Sequence, residues 1–365
     1  MKQAVGDVCW EGTHTQNAMT TLTERQRWGA TKSRERFFGI DHYIGRTPLV
    51  RLRRLSELTG CEILGKAEFM NPGGSVKDRA ACRIIAGAEA AGKLKPGETI
   101  IEGTAGNTGI GLTMVGLARG YSTVIVIPET QSVEKIQLLR TLGARVITVP
   151  EKPYSDPGNY NRQAQRLAQE NGWFWANQFD NTDNRLAHYE TTGPEIWEQT
   201  SGEVTGFVSA IGTGGTLAGT TGFLKERNPK ILAVCADPLG AAMWSWFKHG
   251  NFDTCDGDSI AEGIGQKRVT KNLEAVSVDE AYRVQDQTAL TIIHHLLREE
   301  GLFVGLSTGI NLAGTVRLAR ERGPGQVITT VLCDSGIRYM SKVFNREWLK
   351  EHKLDPDLPI ESVLD

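Results

Sequence analysis

The chain has 365 residues, 39% of them hydrophobic and 23% charged, an ordinary globular composition with enough length for one large domain or two coupled lobes. Forty-one basic and 43 acidic side chains leave a formal charge of −2, so no overall field draws in nucleic acid or an anionic membrane. Any anion site must be local.

Residues 1–36 are polar and aperiodic and read as an N-terminal extension, within which Met19 could be the natural start. Residues 37–345 then alternate short β-branched runs with helix-like segments, and 346–365 read as a C-terminal tail. Strands are expected at 62–66, 123–128, 145–149, 206–211, 231–236 and 327–332. Helices are expected at 77–91, 108–119, 133–142, 159–170, 216–228, 279–299 and 309–321. Strand followed by helix, repeated, predicts an α/β protein of two lobes, each an open, mostly parallel sheet flanked by helices. In such sheets ligands collect at the carboxyl ends of strands, where small-residue loops open helices.

Six cysteines (Cys9, Cys61, Cys82, Cys235, Cys255, Cys333) show no CxxC pair and no ligand-like spacing to histidine. They read as free thiols in a reducing compartment, not as a zinc site. No apolar run approaches the ~18 residues of a membrane span, and no apolar stretch of a secretory signal opens the chain. The cytoplasm is the expected location.

Four loops carry candidate chemistry. In Asn71-Pro72-Gly73-Gly74-Ser75-Val76-Lys77 a turn delivers a lysine to a helix start, where the macrodipole opposes an ammonium and lowers its pKa. A nucleophilic amine needs that property; a solvated surface lysine is the alternative for this motif alone. Thr104, Ala105, Gly106, Asn107 and Thr108 open the next helix, with N–H groups free for a carboxylate and an amide able to bond a planar ring. A capped strand-to-helix turn is the plainer reading.

Gly212, Thr213, Gly214, Gly215 and Thr216 follow a strand and form a nest suited to phosphate. A dinucleotide site is the rival, with Asp237 as the ribose acid, although Leu217 stands where the third glycine belongs. Last, Cys333-Asp334-Ser335-Gly336 ends a strand. Ser335 could bond a ring nitrogen, whereas Cys333 has no evident base to make it a nucleophile. The histidines form no metal or triad pattern, and no GxSxG elbow is present.

In order and spacing these segments resemble the fold-type II pyridoxal 5′-phosphate (PLP) enzymes, within them the cysteine synthase / cystathionine β-synthase family. The resemblance runs from Ile44 to Phe344. It includes Gly45-Arg46-Thr47-Pro48-Leu49-Val50, Gln178-Phe179, the run from His188 to Ile196, and Glu262-Gly263-Ile264-Gly265. It implies that Lys77 carries PLP and moves the α-proton, that Asn107 meets the ring hydroxyl, and that Gly212 to Thr216 hold the phosphate. Ser335 would face the pyridine nitrogen; Thr104, Ala105, Gly106, Thr108, Gln178 and Gly263 would receive the amino acid.

The implied reaction is β-replacement or β-elimination through an α-aminoacrylate, cysteine synthase-like. O-acetylserine or O-phosphoserine would react with sulfide to give L-cysteine. Cystathionine β-synthase and sulfide-releasing cysteine desulfhydrase activities are the neighbouring readings, and a non-catalytic PLP-fold binding partner belongs to another class. Ala105 replaces the serine usual in the family loop and leaves the donor open. A homodimer is implied; a serine acetyltransferase partner has no support in the sequence. Cys9 and His14 loosely resemble the haem ligands of some β-synthases, with different spacing.

Overall fold

The computed structural model describes residues 39–254, 257–274 and 276–364. The 1–36 extension, with Cys9, His14 and Met19, lies outside the described residues, as does Cys255.

Strand β1 (Leu49–Arg51) and helix α1 (Arg53–Thr59) lead into β2 (Glu62–Ala67), which runs antiparallel to β1. Gly60 ends α1 in the left-handed conformation that glycine adopts without a Cβ penalty. Helix α2 (Lys77–Ala90) follows, then β3 (Thr99–Gly103), α3 (Asn107–Ala118), β4 (Ser122–Pro128), α4 (Val133–Thr141), β5 (Arg145–Val149), α5 (Tyr160–Asn171) and β6 (Phe174–Trp175). Helix α6 (Asp183–Ala187), a π-helical turn (His188–Thr192) and α7 (Gly193–Gln199) connect to β7 (Gly206–Ser209). The chain continues through α8 (Gly215–Arg227), β8 (Leu232–Pro238), α9 (Met243–His249), β9 (Glu280–Val284), α10 (Asp286–Glu300), α11 (Leu306–Arg322), β10 (Val327–Leu332) and α12 (Arg346–Glu351).

These strands form two sheets. One is six-stranded in the order β1-β2-β10-β7-β8-β9, parallel except for β1; the other is the parallel set β5-β4-β3-β6. The second is inserted between β2 and β7 of the first, so two α/β lobes share one chain path. Strands such as Thr123-Val124-Ile125-Val126-Ile127 are buried throughout, as a parallel sheet covered on both faces requires. Helix α3 is buried on most of its surface for the same reason.

Two expectations change. Residues 279–299 are not one helix: Ala281, Tyr282 and Val284 are buried, with Arg283 exposed, in β9 beside β8. The helix begins only at Asp286, because β-branched and aromatic residues fit a half-buried sheet edge. Residues 346–364, expected as a tail, include α12 and bury Leu349, Ile360 and Leu364 in the core beneath the six-stranded sheet. That segment is part of the fold.

Candidate active site

The carboxyl ends of both sheets open on a cleft of about 720 Å³. Lys77, Thr104, Ala105, Gly106, Asn107, Thr108, Gln178, Gly212, Thr213, Gly214, Thr216 and Gly263 all line it. Loops that are distant in sequence therefore converge on one space.

Lys77 is the first residue of α2. Its loop is held by Asn71, which donates to Glu68 Oε2 (2.7 Å) and Ser75 O (3.1 Å) and accepts from Gly45 N (2.8 Å). Val76 N donates to Cys333 O at 2.9 Å, tying the turn to the end of β10. Burial pulls the Lys77 ammonium below its ordinary pKa; Cys333 and Asp334 oppose this and Lys135 adds to it. Among the described residues no side chain accepts a hydrogen bond from its amine.

A buried charge network fixes the helix behind that amine. Arg79 bonds Glu68 twice at 2.8 Å and Glu195 at 2.7 and 2.8 Å, while Lys66 pairs with Glu195 at 2.6 Å. Burial pushes the Glu68 carboxyl up, but the Arg79 charge and hydrogen bonds outweigh it and hold the group at about 2.

The loop at α3 is internally braced. Gly106 takes φ +128, a conformation open to glycine alone, and its N–H donates to Thr104 Oγ1 at 3.0 Å. Thr108 Oγ1 donates to Gln178 Oε1 at 2.5 Å, and Gln178 Nε2 donates to Gly103 O at 3.0 Å. Both ends of the Asn107 amide are engaged: Nδ2 donates to Asp334 Oδ2 (2.7 Å) and Oδ1 accepts from Arg338 (2.5 Å). Across the cleft, a Cβ on Gly263 would lie 3.9 Å from that of Ala105.

The nest at α8 starts with Gly214 at φ +87, where a Cβ would stand 2.3 Å from Leu273. Thr213 Oγ1 accepts from Asn184 Nδ2 at 2.9 Å. Thr216 Oγ1 meets His188 Nε2 at 3.2 Å, and His188 Nδ1 meets Thr192 Oγ1 at 2.9 Å. Burial pushes His188 down to about 3, so its ring is neutral and orients the Thr216 hydroxyl. A side chain at Gly215 would point away from the cleft, its Cβ position 2.2 Å from Asn184 Oδ1.

Ser335 is the residue expected to face the ring nitrogen. It is not in the cleft wall; its hydroxyl accepts from Ile337 N at 3.3 Å and caps a short 3-10 turn. Three serines do line the cleft, Ser209, Ser259 and Ser307, and Ser307 sits on the first turn of α11 beside Cys333. Its local signal, Gly305-Leu306-Ser307-Thr308-Gly309, obeys the same small-residue-before-helix rule as the other loops. Cys333 also lines the cleft, but burial pushes its thiol up to about 11, which removes it as a nucleophile. Asp237 accepts from Trp244 N at 2.8 Å and is absent from the cleft wall. The ribose acid of a dinucleotide site is therefore missing. Among the described residues no group of three His, Cys, Asp or Glu side chains is arranged to hold a metal ion.

An unpartnered amine of lowered pKa, an N–H nest across the cleft and a second N–H loop beside it define a site for a phosphate-bearing carbonyl cofactor and an amino acid. Residues 40–334 match the pyridoxal-phosphate dependent enzyme family. The chain is 50% identical over 326 residues to cysteine synthase 1 of Neurospora crassa, covering 88% of this chain and 87% of that one. Among solved structures it matches O-ureido-L-serine synthase with TM-score 0.77 and 38% identity, covering 84% and 95% of the two chains. It also matches the O-acetylserine dependent cystathionine beta-synthase of Helicobacter pylori with TM-score 0.76 and 34% identity, covering 84% and 98%. The chain belongs to the PLP-dependent enzymes, in the cysteine synthase / cystathionine β-synthase family.

Proposed function

We propose that this enzyme carries out cysteine synthase-like β-replacement, joining O-acetylserine or O-phosphoserine to sulfide with release of acetate or phosphate. The observation that carries the reading is Lys77: a cleft lysine at a helix start, below its ordinary pKa and with no anion paired to it. The site fits PLP, because Gly212, Thr213, Gly214 and Thr216 line the cleft where a 13-residue helix opens, and the free N–H groups of a helix start suit a phosphate.

PLP, when bound, supplies the electron sink for charge at the substrate α-carbon. Lys77 would hold the cofactor through its ε-amine, and the same Nζ would accept and return the α-proton. Burial, which lowers its pKa, favours the neutral amine that this task needs. Gly212, Thr213, Gly214, Gly215 and Thr216 would hold the phosphate, and Asn107 the ring hydroxyl. Ser307 takes the ring-nitrogen role in place of Ser335, which stands outside the cleft wall. Thr104, Ala105, Gly106 and Thr108, with Gln178, hold the α-carboxylate, and Gly263 leaves room beside it.

Cystathionine synthesis is the second reading, favoured by the likeness to the Helicobacter pylori enzyme. We further assign residues 37–345 as the catalytic domain, 1–36 as an extension and 346–365 as the C-terminal segment, in a cytoplasmic homodimer. No described helix is long and apolar enough to cross a membrane. The purified protein is expected to show the visible absorption of lysine-bound PLP and to form cysteine from sulfide and an activated serine. Absence of that band after PLP is added would remove the assignment of Lys77 and favour a non-catalytic binding module.

A further inference from the structure

One charge cluster in the cleft wall takes no part in the proposed reaction. Glu262, next to Gly263, accepts hydrogen bonds from Lys135 Nζ at 2.6 Å, Lys342 Nζ at 2.5 Å and Ser132 N at 3.4 Å. The Lys135 and Glu262 side chains are only 1% and 6% exposed. The Lys135 stem lies along the amino-acid loop, since a Cβ on Gly106 would come within 2.7 Å of its Cδ. Its ammonium stands 4.3 Å above the Tyr339 ring. The neighbouring carboxylates are committed elsewhere: Asp334 to Asn107 and Tyr339, Glu134 to Ser341.

Two ammonium groups therefore share one carboxylate in the wall of a substrate cleft, Lys135 buried and Lys342 22% exposed with a further bond to Thr130 O, leaving a local positive excess. Burying unmatched charge is costly, and an arriving anion offsets that cost. The α-carboxylate of an amino acid already has its donors at the start of α3 and at Gln178. The excess is left for a second anionic group, and on a β-substituted serine that group is the β-substituent. A phosphate ester brings its charge on binding, while an acetate ester is neutral until it departs.

We propose that Lys135, with Glu262 as its internal counter-ion, is a specificity-determining residue that favours donors with an anionic β-substituent, phosphate over acetate esters. The inference rests on the β-replacement reading for its substrates, though its charge argument stands on the cleft alone. Lys135→Met is expected to lower the kcat/KM ratio of O-phosphoserine to O-acetylserine on the order of tenfold, and Lys135→Arg to retain it. Glu262→Gln, which frees the ammonium, is expected to raise the same ratio several-fold. A purely structural tie would move both donors alike in both variants.

Binding supplies a readout apart from turnover. In calorimetry on the cofactor-loaded protein, inorganic phosphate is expected to bind more tightly than acetate, with the preference lost in Lys135→Met. Unchanged donor ratios, ratios that move the same way in both variants, or equal binding of the two anions would overturn the inference. If neither donor is turned over by the native enzyme, the β-replacement reading fails instead, and the anion comparison still decides the role of Lys135.

Discussion

Two buried charge clusters flank the cleft, and they differ in balance. Behind α2, Lys66 and Arg79 face Glu68 and Glu195 in two-to-two pairing, with every contact between 2.6 and 2.8 Å. Toward the substrate, Lys135 and Lys342 share Glu262 alone, and Lys77 has no anion paired to it. Compensated charge holds a helix in register; uncompensated charge leaves interaction energy for a ligand. The first cluster belongs to the scaffold, and the second faces the ligand.

The largest test of that contrast is Lys77→Ala. Activity is expected to fall by roughly 10³-fold or more, with loss of the lysine-bound cofactor band and little change in denaturant midpoint. Arg79→Met should do the reverse in kind. It leaves Glu68 buried without its partner and is expected to cost about 3–5 kcal/mol of stability in urea unfolding. A change under about 1 kcal/mol would break the assignment of that cluster to the scaffold.

The pH dependence follows from Glu68, whose carboxyl is held at about 2 against an ordinary 4.5. A depressed folded value stabilises above the unfolded pKa and is lost as pH falls through the folded one. Its contribution, about 3 kcal/mol, should thus be complete above pH 4.5 and vanish toward pH 2. The acid limb of a stability-versus-pH curve for Glu68→Gln is expected to be flatter. Smaller still, Ser307→Ala should shift the cofactor spectrum and lower kcat several-fold, whereas Ser335→Ala should leave the spectrum unchanged. The reverse result would restore Ser335. Ala105→Ser should change donor preference by only a few-fold, read as the kcat/KM ratio between O-acetylserine and O-phosphoserine.

Much of the site is legible because each loop follows a local rule: small residues after a strand, then a helix start. Lys77, the loop from Thr104 to Thr108 and the glycine nest all obey it, and the parallel two-lobed architecture comes from the strand–helix alternation. The serine proposed for the ring nitrogen escapes the rule because two serines, Ser307 and Ser335, both follow glycine- or strand-ending signals. Only packing separates the one in the cleft from the one that caps a turn. Strand β9 is hidden because no glycine or proline separates it from α10; only the polar run Gln285-Asp286-Gln287-Thr288 lies between Val284 and Ala289.

Fold class, cofactor chemistry and the lysine are all set by the amino-acid order, since they depend on local conformation and residue type. Which charges meet is settled by tertiary packing alone. Glu68 and Arg79 are 11 positions apart, Arg79 and Glu195 are 116, and Lys135 and Glu262 are 127. No periodicity spans such distances. Whether a buried ammonium is matched or left over is a property of the assembled cleft, because it depends on every carboxylate that the fold brings within a few ångströms.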